Sequence, residues 1–155
     1  MSRRGGAQAK TVAMYAKLDQ LSREWASTLE LAFALESEYG RANSYAGRIV
    51  NRWATARGDK VSVVVAGKLP FYCARKGAAL DISALCKQYW GRLPNYFRRT
   101  HAFDTLPEDE RLHAILLAYG ALCLERSDCV TAFNNWATAN HQPKIKRGTL
   151  ERNLP

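Results

Sequence analysis

Residues 61–72 read VSVVVAGKLPFY, and the period assigned to this stretch decides the fold class. Val61, Val63, Val64 and Val65 carry strand propensity, while Val61, Val64, Val65, Leu69 and Tyr72 fall at helical spacing. We read the stretch as helix, with a strand over 60–69 as the alternative. Pro70 then kinks or restarts it, because an interior proline removes a backbone hydrogen bond and clashes with the preceding turn.

Upstream, Met14, Leu18, Leu21, Trp25, Thr28, Ala32, Leu35 and Tyr39 step alternately by four and three, which predicts one helix of about 25 residues. Leu29 and Phe33 widen its stripe, and Gly40 stands where a helix C-terminus favours a left-handed residue. A second helix is expected over 43–56, burying Tyr45, Ile49 and Trp53 and closing at Gly58-Asp59. Downstream, Asp81 can cap a helix through Ile82, Leu85, Tyr89 and Trp90, ended by Gly91 and Pro94. Thr105 with Glu108 reads as a capping box with Pro107 in the first turn, opening a helix that buries Leu112, Ile115, Leu116, Tyr119 and Leu122. Ser127 and Asp128 start a last helix with Val130, Phe133, Trp136 and Ala137 inward.

These elements give an all-α fold class: a compact single-domain bundle of five to seven helices over 11–140, between a flexible N-terminus (1–10) and a basic flexible tail (141–155). The size suffices for a real core. No apolar run is long enough to cross a bilayer, and residues 1–10 hold no stretch like that of a signal peptide, so no membrane partner and a cytoplasmic location are expected. Cys73, Cys86, Cys123 and Cys129 form no C-x-x-C and read as buried, reduced thiols.

The net charge is +9 and the sequence pI about 9.7. Residues 59–103 hold eight Lys/Arg against two acids, with seven of the sixteen aromatics, whereas 104–143 hold two Lys/Arg against six acids. Basic residues interleaved with rings suit a nucleic-acid backbone and its bases. Lys60, Lys68, Arg75, Lys76, Lys87, Arg92, Arg98 and Arg99 are candidate phosphate contacts, joined by Lys144, Lys146 and Arg147 of the tail. Tyr72, Tyr89, Trp90, Tyr96 and Phe97 are the stacking candidates. The sharpest piece is Tyr96-Phe97-Arg98-Arg99, since arginine binds phosphate bidentately and stacks on bases. A helix-turn-helix over 81–90 and 95–103 is compatible with the spacing. A basic middle followed by an acidic segment also favours head-to-tail self-association.

No nucleophile with its base, carboxylate pair or metal set is legible, so no catalytic residue, cofactor or metal is expected. His113, one helical turn from Asp109 and Glu110, reads as a solvated residue, and Glu108-Asp109-Glu110 as a first turn favoured by the helix dipole. Neither G-x-x-x-x-G-K nor G-x-G-x-x-G occurs.

Tyr45, then Lys68-Leu69-Pro70, then Gly77 and Leu80 resemble the pattern in the small all-helical subunits of type III CRISPR effector complexes. The resemblance spans about forty residues, with Ala78 where leucine is expected after the glycine. It implies a subunit that stacks into a filament along the guide-target path in antiviral defence, binds nucleic acid by its backbone and catalyses nothing. It also points to Lys68, Arg75 and Lys76 as backbone contacts. The expectation is therefore a non-enzymatic subunit that binds RNA or single-stranded DNA beside other protein subunits of a ribonucleoprotein or filament. The competing class is a protein-interaction regulator or adaptor from a mobile element, docking an acidic protein on its basic face.

Overall fold

A computed structural model describes the backbone of residues 2–40 and 43–146, and side chains within 9–40 and 45–146. Among the described residues there are seven α-helices and a small three-stranded sheet, so the fold is mostly helical but not strictly all-α. The elements run α1 (Ser2–Leu21), β1 (Ala26–Ser27), α2 (Thr28–Tyr39), α3 (Asn43–Arg57), a 3₁₀ turn (Gly58–Lys60), β2 (Ser62–Ala66), β3 (Leu69–Cys73), α4 (Ile82–Arg92), α5 (Asn95–Thr100), α6 (Glu108–Leu122) and α7 (Ser127–Ala139). α1 starts within the segment assigned above to a flexible N-terminus. No helix among the described residues is long and apolar enough to cross a membrane.

The stretch at 61–72 is a hairpin, not a helix. Gly67 and Lys68 take φ of 58° and 62°, the left-handed pair that a two-residue type I′ turn requires. A helix there would have carried a glycine and a proline in its interior, at about 1 and 3 kcal/mol, besides a β-branched run. β3 is central in the order β1-β3-β2 and pairs antiparallel with β1, Ala26 opposite Tyr72 and Ser27 opposite Phe71. Pro70 lies beyond that short register, and its carbonyl accepts from the Thr28 hydroxyl at 3.0 Å. β2 is an edge strand with Val63, Val64 and Val65 exposed.

β1 is also what divides the predicted 25-residue helix. α1 ends where the buried Ser22 hydroxyl donates to the Leu18 carbonyl at 2.6 Å. The chain then extends until Ser27 opens α2 through a capping box with Glu30, the Glu30 N–H reaching Ser27 Oγ and the Ser27 N–H reaching Glu30 Oε1 at 3.2 Å. The stripe read through Leu21 breaks there, and Leu21 is exposed. Gly40 is left-handed as expected, its N–H on the Glu36 carbonyl at 2.8 Å.

The chain forms two compact units, Met1–Val65 with Leu69–Leu80, and Ala66–Lys68 with Asp81–Pro155. The core of the first is aliphatic around Trp53, with Leu18, Leu31, Leu35, Ile49 and Val50 buried. Tyr45, expected inside, is exposed on α3. In the second unit α6 packs on α4 and α7. Its core is a ring cluster in which Phe97 stacks on His101 at 3.8 Å and meets Phe103 and Phe133 edge-on. Asp81 caps α4 through the Ala84 N–H at 3.2 Å, as the sequence indicated.

The Thr105–Glu108 capping box does not form. Pro107 itself takes the cap position, which moves the start of α6 to Glu108. The Arg111 guanidinium instead reaches back to the carbonyls of Phe103, Asp104 and Leu106 at 3.2, 2.9 and 2.9 Å, tying the loop to the first turn. The docked turn at Gly67 makes a second tie on α6. Its N–H donates to Asp109 Oδ1 at 2.8 Å and its carbonyl accepts from His113 Nδ1 at 3.0 Å.

Candidate nucleic-acid interface

Residues 141–146 were expected to be free tail; they are pinned along the second unit. His141 turns left-handed (φ 57°), which lets the Gln142 N–H return to the Ala137 carbonyl at 2.9 Å. The buried His101 ring donates from Nε2 to the Pro143 carbonyl at 2.8 Å, the direction that carbonyl requires. Asn134 then holds Ile145 at both backbone groups, 2.8 Å to its carbonyl and 2.7 Å from its N–H. Ile145 is buried, so its neighbours Lys144 and Lys146 turn outward.

Between this segment and α5 lies a groove of about 360 Å³ whose walls include Tyr96, Thr100, His101, Lys144 and Lys146 and, among the described residues, no acidic one. Tyr96 is half-buried, and burial raises the pKa of its phenol. One wall thus combines a neutral aromatic side chain with two lysines. Phosphate oxygens and a stacked base ask for those features.

The structure brings Tyr96, Phe97, Lys144 and Lys146 to one groove and places the other candidates elsewhere. Tyr72, Tyr89 and Phe97 are interior and cannot stack on a ligand: Tyr72 meets Trp53 edge-on at 5.8 Å, Tyr89 meets Tyr119 at 5.1 Å, and Phe97 is sealed by His101. Their burial follows from the ring cluster and the sheet, which need apolar payload more than surface. Trp90 is half-buried and walls a smaller cavity of about 220 Å³ together with Lys87 and Arg111.

Several cations are already engaged. Arg75 pairs with Glu24 and Lys76 with Asp59, each at 3.3 Å and well exposed. Arg92 lies over the rings of Tyr89 and Tyr119 at 4.8 and 5.9 Å. Arg98 bonds the Asn95 side chain and is half-buried, with Nε inside and lacking a hydrogen-bond partner. Lys60, Lys68, Lys87, Arg99, Lys144 and Lys146 are exposed and have no ion-pair partner among the described residues. Arg147 lies outside the described residues.

Sequence reasoning missed Arg48 and Arg52, exposed one helical turn apart on α3 with Tyr45 a turn before them. The signal was present in the i, i+3, i+7 spacing and in the absence of any acid from residues 43–57. His113 is not solvated but half-buried on Gly67, and burial lowers its pKa, with Lys68 acting in the same direction. Asp109 accepts the Gly67 N–H at one carboxylate oxygen.

All four cysteines are free thiols, three buried and Cys123 half-buried. Burial raises the pKa of Cys86 and Cys123 and lifts that of Cys129 to about 11, so these three stay protonated at neutral pH. No group of three or more His, Cys, Asp or Glu able to hold a metal occurs among the described residues. Lys68-Leu69-Pro70, which carries the resemblance above, lies at the hairpin turn rather than on a helix. No protein-family model, curated protein or solved structure matches this chain.

Proposed function

We propose that the chain is a non-enzymatic subunit that binds the backbone of RNA or single-stranded DNA within a larger ribonucleoprotein or filament. The observation that carries this reading is the groove whose described lining holds Tyr96, Lys144 and Lys146 and no acidic residue. A single strand lays successive phosphates along such a rim while a base stacks on the ring, a mode tolerant of sequence. The resemblance to type III CRISPR small subunits would make the larger assembly a guide-target filament.

The test is a salt series of fluorescence-anisotropy titrations with short oligouridylate and oligothymidylate. K144Q/K146Q is expected to weaken binding and flatten the salt dependence by up to about 1.4, at about 0.7 per single-strand phosphate contact. Tyr96→Leu is expected to weaken binding with the salt slope unchanged. Unaltered affinity and slope in both variants would remove the groove from consideration.

A protein-docking role is favoured by a different observation. Val63, Val64 and Val65 stay 49%, 37% and 67% exposed on β2, the outer strand of the sheet. Natural edges are usually blunted by charge or cover, so this one suits pairing with an extended segment of a partner.

A further inference from the structure

A second basic cavity, of about 370 Å³, opens in the first unit where the ends of α1 and α3 meet the end of β3. One side is built around Asp19. Its carboxylate accepts from Arg57 Nε and Nη2 at 3.0 and 2.9 Å, and from the Trp53 indole N–H at 2.8 Å. The hydrogen bond from Arg57 holds the Asp19 pKa below its ordinary value. The carboxylate is thus already matched by one guanidinium.

Arg23 and Lys60 line the same cavity, both exposed, and neither side chain has a hydrogen-bond or ion-pair partner among the described residues. Val61, which is buried, and Ala74 supply apolar wall. Helix C-termini carry partial negative charge, about half an elementary charge each, which on its own would repel an anion. At α1 that charge is met internally: the Leu18 carbonyl takes the Ser22 N–H and hydroxyl, and the Ser22 carbonyl takes the Ala74 N–H at 2.6 Å. Two cations held at one cavity beyond what its carboxylate neutralises call for an anion with several acceptor oxygens. Arginine offers a planar fork and lysine a movable point charge, a pairing suited to phosphate.

We infer that this cavity is a second phosphate site, in which Arg23 and Lys60 grip a phosphodiester of the bound single strand over the Asp19–Arg57 pair. The inference rests on the nucleic-acid reading above but uses none of the groove residues. Arg57 is a positioning residue, since its guanidinium is committed to Asp19.

The experiment compares the full chain with R23Q/K60Q and with K144Q/K146Q, each titrated with fluorescent oligouridylate across a salt series. R23Q/K60Q is expected to raise Kd roughly tenfold at low salt and to flatten the salt slope by about 1.4. Its thermal midpoint should stay within about 2 °C of the parent, because exposed, unpartnered side chains contribute little to stability. If R23Q/K60Q binds like the parent while K144Q/K146Q is weakened, the second site is overturned and the groove stands. If R23Q/K60Q alone is weakened, the cavity is the strand site and the groove reading falls. No salt-dependent binding by the parent overturns both. Inorganic pyrophosphate is the second probe. A thermal upshift with it that R23Q/K60Q abolishes, alongside unchanged oligonucleotide binding, would reassign the cavity to a free phosphate compound and overturn the strand contact.

Discussion

In the first unit charged side chains hold one another: Asp19 is clamped by Arg57, Arg75 meets Glu24, and Lys76 meets Asp59. In the groove of the second unit the framework is rings and backbone hydrogen bonds, and Lys144 and Lys146 are left facing solvent. The same excess of Lys and Arg thus has two physical meanings. Where an acid stands within about 3 Å, the charge of the cation is already matched locally. Where the neighbours are carbonyls and aromatic rings, the cation is surplus and long-range attraction for polyanions remains.

The comparison breaks most visibly if the ring cluster is not the framework of the second unit. Phe133→Ala should destabilise by about 4 kcal/mol, the usual range for deleting a fully buried ring, measured by urea unfolding followed in the near-UV. A loss under about 1 kcal/mol would mean that the cluster is loosely packed.

Next in size is Gly67→Ala. A Cβ there would lie 2.9 Å from Leu112 Cγ and 3.0 Å from the His113 backbone nitrogen, at a φ of +58°. Overpacking and left-handed strain together predict a loss of about 3 kcal/mol. Gly77→Ala, at φ +67° with open space around its Cβ, should lose only about 1 kcal/mol. Equal losses at the two sites would show that the close approach to α6 does not constrain the turn.

Asp19→Asn tests the charged framework of the first unit. The pair is 32% and 40% exposed on its two side chains, so solvent screening limits the expected loss to about 1 kcal/mol. Because the folded pKa of Asp19 lies below its ordinary 3.8, the stability this pair contributes is present above about pH 4 and lost as pH falls through the lowered value. The stability of Asp19→Asn should accordingly depend less on pH in that acid window than the parent's.

The smallest effect belongs to His113. Burial lowers its pKa from the ordinary 6.5, so the neutral ring's contribution is complete above that pH and lost as pH falls through the folded value. His113→Gln, which keeps a donor for the Gly67 carbonyl, should flatten the decline in thermal midpoint just below pH 6.5. An unchanged slope would show that the ring does not titrate with unfolding.

Helical periods and local caps were legible along the chain. Ile49 and Trp53 on α3, Asp81 at the start of α4 and Gly40 at the end of α2 stand as their spacing indicated. Two capping boxes show the limit of local reading. The Ser27–Glu30 box was hidden inside an apolar stripe that continued in register across it, while the Thr105–Glu108 box was displaced by a proline that fits the cap position itself.

What the chain alone determined is its helical segments, its excess of positive charge and the residue types available to a phosphate backbone, because each depends on neighbours within a turn or on composition. Only the tertiary structure decided that 62–73 forms strands, since Tyr72 pairs with Ala26 and no window around either residue contains the other. It also decided which rings are core and which cations are free. Glu24 reaches Arg75 and Asn134 places Lys144 and Lys146 by holding Ile145, across separations that local periodicity does not register. Burial and ion pairing are properties of the packed neighbourhood, and for this chain that neighbourhood is assembled from distant segments.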